Sequence, residues 1–297
     1  MSFTTHTTKA IPFTLSRLKD YAALAKLRLS TLVVFSAAMG YFIAASQFDW
    51  VQFLALVSGG FLVTGASNAI NQILERDYDK LMQRTANRPL PAGRMNVAEA
   101  LFVAVLMGVG GVTILFWLLN PLSGWLGLWA LVIYVALYTP LKRITPFAVL
   151  VGAIPGAIPP MLGYVAVTGE FGLIPGLLFL VQFFWQFPHF WAIAWKLDDD
   201  YKKAGFKLLP TKAGKSKSGA FIILVYSIFL IPVGWLPVMF HISGYIGGVI
   251  ALLMGIMMVM KAIKLYNSCD EKAATRLMFA SFVYLPIVLI GYVIDKL

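Results

Sequence analysis

The sequence predicts an all-α membrane protein with nine transmembrane helices, its N-terminus in the cytoplasm and its C-terminus outside. Hydrophobic residues make up 60% of the 297 positions and charged residues only 12%, which is too apolar for a soluble domain. Nine apolar runs approach the roughly 20 residues that cross a bilayer. We expect a single transmembrane domain over residues 1–297, with residues 1–28 as a cytoplasmic N-terminal segment.

The basic residues support nine spans. The predicted spans cover residues 29–46, 51–70, 97–118, 123–140, 147–167, 173–195, 219–240, 243–263 and 276–294. Cytoplasmic connections carry an excess of Lys and Arg, and with nine spans all 24 basic residues except Lys296 fall on the cytoplasmic side. The outside connections are only a few residues long, so any chemistry is expected to face the cytoplasm.

The formal net charge of +11 has the same origin. It indicates positive-inside bias and attraction to anionic membrane lipid, and no nucleic-acid partner is expected. A single cysteine, Cys269, excludes an intramolecular disulfide. The first thirty residues lack the short apolar core and small-residue cleavage site of a signal peptide, so no cleaved targeting segment is expected.

A first polar segment, residues 71–94, follows the second span and reads NQILERDYDKLMQRTANRPLPAGR. Asn71, Glu75 and Asp79 are spaced four residues apart, which places them on one helix face. Carboxylates in an otherwise apolar helix are costly unless something pairs with them. Mg²⁺ prefers oxygen ligands and commonly bridges protein carboxylates to phosphate. The pattern therefore predicts a metal site for a diphosphate substrate.

Arginines follow these acids directly. Guanidinium groups bind phosphate oxygens in pairs, so Arg84, Arg88 and Arg94 are candidates to neutralise a leaving diphosphate. The alternative is a loop that carries surface ion pairs and no chemistry. Asp77 is ambiguous, because a continued helix would turn it away from the other acids.

A second polar segment, residues 182–210, ends the sixth span and reads QFFWQFPHFWAIAWKLDDDYKKAGFKLLP. Asp198, Asp199 and Asp200 would repel one another unless a cation or nearby lysines offset their charge, so a second set of metal ligands is expected here. His189 lies among aromatic residues. It is a hydrogen-bonded core residue, an axial ligand of a haem iron or a proton-handling group, and the sequence does not decide among these.

The segment VGAIPGAIPPMLGY, residues 151–164, is rich in glycine and proline. Such residues are tolerated in a membrane helix where neighbours satisfy the backbone. The segment is predicted either to form a close helix crossing or to shape a substrate cavity.

These motifs resemble the UbiA superfamily of intramembrane prenyltransferases, whose two acidic motifs follow the second and sixth of nine helices. More narrowly, NQILERDYDKLMQRTANRPLPAGR, YTPLKR, GAIPPMLGY and WQFPHFWAIAWKLDDDYKKAG resemble the haem-farnesylating branch of that superfamily. The four blocks occur in the same order and the resemblance covers most of the chain.

The resemblance implies roles for individual residues. The matched positions of the first motif are Asn71, Glu75, Asp77 and Asp79, followed by Arg84, Thr85 and Arg88; those of the second are His189, Asp199, Asp200 and Tyr201. The implied metal ligands for Mg²⁺ are Asn71, Glu75, Asp79, Asp199 and Asp200. Arg84, Arg88 and Lys203 would stabilise the leaving diphosphate, while Lys142 and Arg143 would lie near haem propionates.

The implied reaction combines farnesyl diphosphate with haem B, as a substrate rather than a cofactor, to give haem O and diphosphate after water addition. The implied location is the inner cell membrane, with a haem A synthase or an oxidase assembly factor as a candidate partner. Three alternatives stay open: a related prenyltransferase acting on a quinone precursor, a transporter for an anionic metabolite, and a non-catalytic haem chaperone.

Overall fold

The computed structural model describes residues 13–297, so the first twelve residues of the predicted N-terminal segment lie outside it. The described chain is helical, and its one β-bridge joins Ser243 and Lys296. The helices are α1 (Phe13–Leu24), α2 (Leu27–Ala44), α3 (Trp50–Asp79), α4 (Val97–Ile114), α5 (Pro121–Val132), α6 (Thr139–Ile144), α7 (Ala148–Thr168), α8 (Leu173–Lys196), α9 (Asp198–Lys203), α10 (Lys217–Met239), α11 (Tyr245–Ser268) and α12 (Glu271–Ile294). A π-helical segment, Leu115–Leu119, extends α4, and another, Ile133–Tyr138, joins α5 to α6.

The prediction of nine spans is confirmed within residues 13–297. The spanning helices are α2, α3, α4 with its π segment, α5 continuing into α6, α7, α8, α10, α11 and α12. The apolar run that predicted the second span stops near residue 70, and α3 continues beyond it to Asp79. Asn71, Glu75 and Asp79 remain buried in the bundle, so their helix continues past the point where the apolar run stops. Hydropathy misses this extension because it counts polarity and not burial.

Helix α7 packs closely against α2. A Cβ atom at Gly40 would overlap the carbonyl oxygen of Pro160, and one at Gly163 would overlap that of Ala37. Small residues allow the backbones of membrane helices to approach in this way. One of the two expectations for the Gly/Pro segment, a close helix crossing, is therefore confirmed at its C-terminal half.

Polar side chains of α8 satisfy the backbone of α7. Pro160 has no N–H, so the carbonyl of Gly156 four residues earlier loses its helical donor. Gln182 donates to that carbonyl at 2.7 Å, and Gln186 donates to the carbonyl of Ala153 at 2.9 Å. Gln182 thus satisfies a carbonyl that Pro160 leaves without its helical donor, and the two amides together fix α8 beside α7.

Helix α1 packs beside the acidic end of the bundle, where both polar segments lie. Arg17 pairs with Glu99 at 3.1 Å and Asp20 pairs with Arg94 at 3.0 Å. The side chain of Gln72 donates to the carbonyl of Leu24 at 2.6 Å. These contacts join α1 to α3, α4 and the loop after α3, a placement that the sequence did not predict.

Candidate active site

A buried group of charged and polar side chains, here called the charged cluster, occupies the acidic end of the bundle. It comprises Asn71, Glu75, Asp79, Arg88 and Lys142. Lys142 pairs with Glu75 at 2.6 Å, and their side chains are only 8% and 7% exposed. Arg88 pairs with Asp79 at 2.7 Å, where the carboxylate is 1% exposed. Removing one partner of such a pair leaves an uncompensated buried charge and costs about 3–5 kcal/mol.

Three segments of the chain position this cluster. Helix α3 presents Asn71, Glu75 and Asp79 from one face, as predicted from their spacing. Asn71 donates to the hydroxyl of Thr139 at 3.2 Å, which joins α3 to α6. The hydroxyl of Thr85 donates to the backbone carbonyl of Asp79 at 2.9 Å and folds the following loop back so that Arg88 reaches the carboxylate.

Asp77 lies apart from the charged cluster. Its side chain is 63% exposed and contacts Arg76 at 3.4 Å and Lys80 at 3.0 Å. The continued helix turns it outward, as the sequence suggested.

The second polar segment meets the first through Asp200. Its two carboxylate oxygens accept the backbone N–H groups of Gln83 at 3.0 Å and Arg84 at 3.2 Å, and Lys203 lies 3.2 Å away. Burial raises the pKa of Asp200, but the two N–H groups and Lys203 outweigh it, so the net pKa lies below its usual value. Asp200 thus holds the loop that carries Arg84 and Arg88.

The neighbouring acids face other partners. Asp198 pairs with Lys202 at 2.6 Å within α9. Asp199 is 78% exposed and lies 3.5 Å from Lys215. Asp199 therefore does not approach the charged cluster.

Tyr201 and Arg143 lie around the rim of the site. The Tyr201 ring packs with Met82 and Phe206, and the guanidinium of Arg84 lies 5.9 Å from its centroid. Burial raises the pKa of Tyr201, so its hydroxyl stays protonated. The guanidinium of Arg143 lies 3.9 Å from the centroid of the Tyr78 ring and donates a hydrogen bond to the Tyr78 hydroxyl.

The cluster has hard oxygen donors suited to Mg²⁺. Asp79 Oδ1 is buried without a hydrogen-bond partner, while its Oδ2 accepts from Arg88. Among residues 13–297 no three His, Cys, Asp or Glu side chains converge as a metal site, so the five predicted ligands do not come together. Asp200 instead accepts the N–H groups of Gln83 and Arg84. The donor set fits a Mg²⁺ bridged to phosphate rather than a cage made by the protein alone.

An apolar cavity of about 250 Å³ lies in the bundle beside the charged cluster, and none of the five cluster residues lines it. Asn68, Tyr134 and Tyr138 line the end nearest the cluster, one turn from Asn71 and beside Thr139. Gly152, Pro155 and Gly156 of α7 form part of its wall, so the Gly/Pro segment does shape a cavity, and its use by a substrate stays a prediction. Other lining residues are exposed on the outer surface of the bundle: Leu29, Leu32 and Phe282. The cavity therefore opens sideways between α2 and α12.

His189 lines this cavity from α8. Its Nδ1 lies 2.8 Å from Ser281 Oγ, and the Ser281 hydroxyl donates to the carbonyl of Met278 at 2.6 Å. Because that hydroxyl has one proton, the network assigns the donor role to His189 Nδ1 and leaves a lone pair on Nε2 of the neutral ring. Trp185 stacks on the imidazole with centroids 4.5 Å apart.

Sequence reasoning missed several side chains of the site. Thr139 stands inside the YTPLKR block, but only its basic residues were selected. Ser281 lies 92 positions from His189, and no local pattern joins the two. Tyr134 and Tyr138 recur four residues apart on one helix face, which is the signal that would have identified them.

Comparison with known proteins places this architecture in a family. The sequence profile of the UbiA prenyltransferase family matches residues 33–284. A protoheme IX farnesyltransferase from Cytophaga hutchinsonii is 51% identical over 285 residues, covering 95% of this chain and 99% of that protein. One from Christiangramia forsetii is 48% identical over 287 residues, covering 95% and 94%.

Solved structures share the fold. A digeranylgeranylglyceryl phosphate synthase superposes with a TM-score of 0.78 at 18% identity, covering 94% of this chain and 98% of its own. A UbiA homologue from Archaeoglobus fulgidus, solved with GPP and Mg²⁺, gives a TM-score of 0.70 at 15% identity, covering 92% and 99%. The sequence match, the nine spans within residues 13–297 and the shared fold establish that this multi-pass membrane protein belongs to the UbiA prenyltransferase family.

Proposed function

We propose that this protein transfers the farnesyl group of farnesyl diphosphate to a vinyl group of protohaem IX, giving haem O and diphosphate after water adds. The observation that carries the proposal is the arrangement of one cavity. One end of the cavity is lined by Asn68 and Tyr138, which lie next to the charged cluster, and its wall carries His189 with the Nε2 lone pair unused by any described residue. Neutral imidazole is a common ligand of haem iron. The names of the relatives point to the same acceptor.

The charged cluster supplies the groups that diphosphate departure requires. Arg88 and Lys142 are already held beside carboxylates, and a bound diphosphate would compete with Asp79 and Glu75 for them. Arg84 is fixed on the same loop by Asp200. Cations preorganised in a dry site stabilise developing negative charge more strongly than mobile side chains in water do. Lys203 lies farther out, paired with Asp200.

Mg²⁺ fits the oxygens of Asn71, Glu75 and Asp79, and when bound it would neutralise phosphate charge as the carbon–oxygen bond breaks. The chain's own contribution is the Oδ1 atom of Asp79, which is buried without a partner. A buried carboxylate oxygen in this condition costs free energy that an added cation would offset.

We expect the new carbon–carbon bond to form inside the cavity. The C1–O bond of farnesyl diphosphate breaks, the electron pair leaves with diphosphate, and C1 bonds to the terminal vinyl carbon. The cation left on the other vinyl carbon takes up water and releases a proton, which gives the hydroxyl. The rings of Tyr134 and Tyr138, with centroids 5.1 Å apart, line the end of the cavity nearest the charged cluster and would stabilise the allylic cation. The apolar wall would keep water from it until the new bond forms.

The acceptor would sit along α8 and α12. His189 would hold the iron, and Arg143 at the rim is the basic side chain that remains for a propionate, because Lys142 is paired with Glu75. The sideways opening between Leu29 and Phe282 would admit the farnesyl chain from lipid. We place the protein in the inner cell membrane with this site on the cytoplasmic side, since that side carries the basic residues. A haem A synthase or oxidase assembly factor is the partner class that would receive haem O.

A competition assay tests the acceptor. Purified protein in detergent would be given farnesyl diphosphate, Mg²⁺ and equal amounts of haem B and 4-hydroxybenzoate, with products separated by chromatography and weighed by mass. We expect farnesylated, hydrated haem alone. His189→Ala should weaken haem binding, seen as a shifted and reduced Soret band, and Ser281→Ala should do so to a smaller extent. Farnesylated hydroxybenzoate with unchanged haem would contradict the proposal in favour of a quinone-type enzyme.

A further inference from the structure

Lys26 stands in the turn between α1 and α2 in an unusual backbone conformation. Its φ of 47° and ψ of 58° lie in the left-handed region. Lysine rarely adopts this region, whereas glycine and asparagine tolerate it. A strained backbone held by its surroundings is a reason to ask what the side chain does.

The surroundings fix this turn beside the charged cluster. Gln72 donates to the carbonyl of Leu24 at 2.6 Å, and the Ser30 hydroxyl donates to the carbonyl of Ala25 at 2.8 Å. Gln72 is fully buried on the same part of α3 as Asn71 and Glu75. The turn is therefore attached to the helix that carries the acids, and Lys26 is held near them.

The ammonium of Lys26 has no anionic partner among the described residues. Within the part of the chain that the structure describes it has no hydrogen bond and no ion pair, although its side chain is partly buried. Burial and then the charges of Arg88 and Lys142 lower the pKa of Lys26 to about 7, while Glu75 acts in the opposite direction. Glu75 is already paired with Lys142 at 2.6 Å. The two buried carboxylates, Glu75 and Asp79, are thus paired with Lys142 and Arg88, and Lys26 is a third basic side chain without a carboxylate of its own.

We propose that Lys26 is a substrate-binding residue that contacts the diphosphate of the prenyl donor, together with Arg84 and Arg88. This inference rests on the function proposed for the site. A diphosphate group carries several negative charges, and its arrival would compensate the desolvated cations at once. Carboxylates of the acceptor share the anionic chemistry, but Gln72, which holds the Lys26 turn, is the neighbour of Asn71 in the charged cluster, and this favours the diphosphate.

The test compares Lys26→Asn with Lys26→Arg and with Arg28→Asn, a control at an exposed basic residue two positions later. Asparagine removes the charge and suits the left-handed backbone, so lost function could not be assigned to a disturbed turn. Binding of inorganic diphosphate with Mg²⁺ would be measured by calorimetry. KM for farnesyl diphosphate, KM for haem B and thermal stability would be measured on the same preparations.

We expect Lys26→Asn to lower the affinity for diphosphate by a factor of about ten or more, because a hydrogen bond to a charged group is lost. KM for farnesyl diphosphate should rise by a similar factor. KM for haem B should stay unchanged and Tm should be equal or higher. Lys26→Arg should recover most of the affinity, and Arg28→Asn should match the wild type.

Three results would overturn the inference: unchanged diphosphate binding in Lys26→Asn, a rise in KM for haem B alone, or a lowered Tm with both KM values raised. A wild-type protein that binds diphosphate but leaves haem unmodified would contradict the proposed acceptor only. The binding comparison would then still decide the role of Lys26.

Discussion

The two polar segments look alike in the sequence and do different work in the structure. In the first, Glu75 and Asp79 lie on a continuous membrane helix, are almost fully buried, and are compensated by Lys142 and Arg88. In the second, Asp200 lies on a short helix at the rim and accepts two backbone N–H groups of the loop after α3. The comparison teaches that equal acidity along a chain does not mean equal roles. The first segment carries the buried charges that we propose to act on the diphosphate, and the second positions the loop that carries Arg84 and Arg88.

The largest expected effect is that of Asp79→Asn. The substitution removes the charge beside Arg88 and the best placed oxygen for Mg²⁺, so turnover should fall by a factor of about 10²–10³. Formation of farnesylated haem by purified protein is the measurement. Asp77→Asn is the matched control, because Asp77 lies on the same helix but faces outward. If both variants lost activity equally, the distinction between the two helix faces would be wrong.

The buried pair of Glu75 and Lys142 predicts strong coupling in stability between these two side chains. Lys142→Met leaves Glu75 charged and without its partner. Glu75→Gln likewise leaves Lys142 charged and without its partner. Each single substitution should lower the unfolding free energy by about 3–5 kcal/mol. The double variant should recover most of that loss while staying inactive. Thermal unfolding of the four proteins in one detergent gives the coupling energy. Additive losses would show that the two side chains do not interact.

These two predictions concern residues that the sequence identified only in part. The spacing of Asn71, Glu75 and Asp79 is local, so helix periodicity alone placed them on one face, and hydropathy likewise found the nine spans. Lys142 was selected, but for a haem propionate, because nothing local shows that it meets Glu75 across two helices. Lys26 counted only as a positive charge for topology, since its position depends on the packing of α1. Such pairings are set by tertiary contacts, which a single sequence does not display.

The second segment should respond more mildly. Asp200→Asn removes the charge that holds the N–H groups of Gln83 and Arg84, so the loop should loosen and KM for farnesyl diphosphate should rise about tenfold. Limited proteolysis of residues 80–94 would report the loosening. Asp199→Asn is the control, since Asp199 is exposed beside Lys215. Equal protection of the loop in wild type and Asp200→Asn would contradict the positioning role.

The smallest effects are expected at the outward acids. Asp77→Asn and Asp199→Asn should each change unfolding free energy by less than about 0.5 kcal/mol, because exposed ion pairs contribute little. Thermal unfolding and turnover measured at low and high salt would check this. A clear loss of turnover in Asp199→Asn would return that residue to the reacting site and weaken the contrast between the segments.

The most direct test of the account follows diphosphate release and haem farnesylation together. Purified wild type, Asp77→Asn and Asp79→Asn would each be incubated with farnesyl diphosphate, haem B and Mg²⁺, and both products would be quantified. The account predicts equal amounts of the two products from wild type and Asp77→Asn, and formation of both products slowed by a factor of about 10²–10³ in Asp79→Asn. Undiminished formation of both products by Asp79→Asn would contradict it.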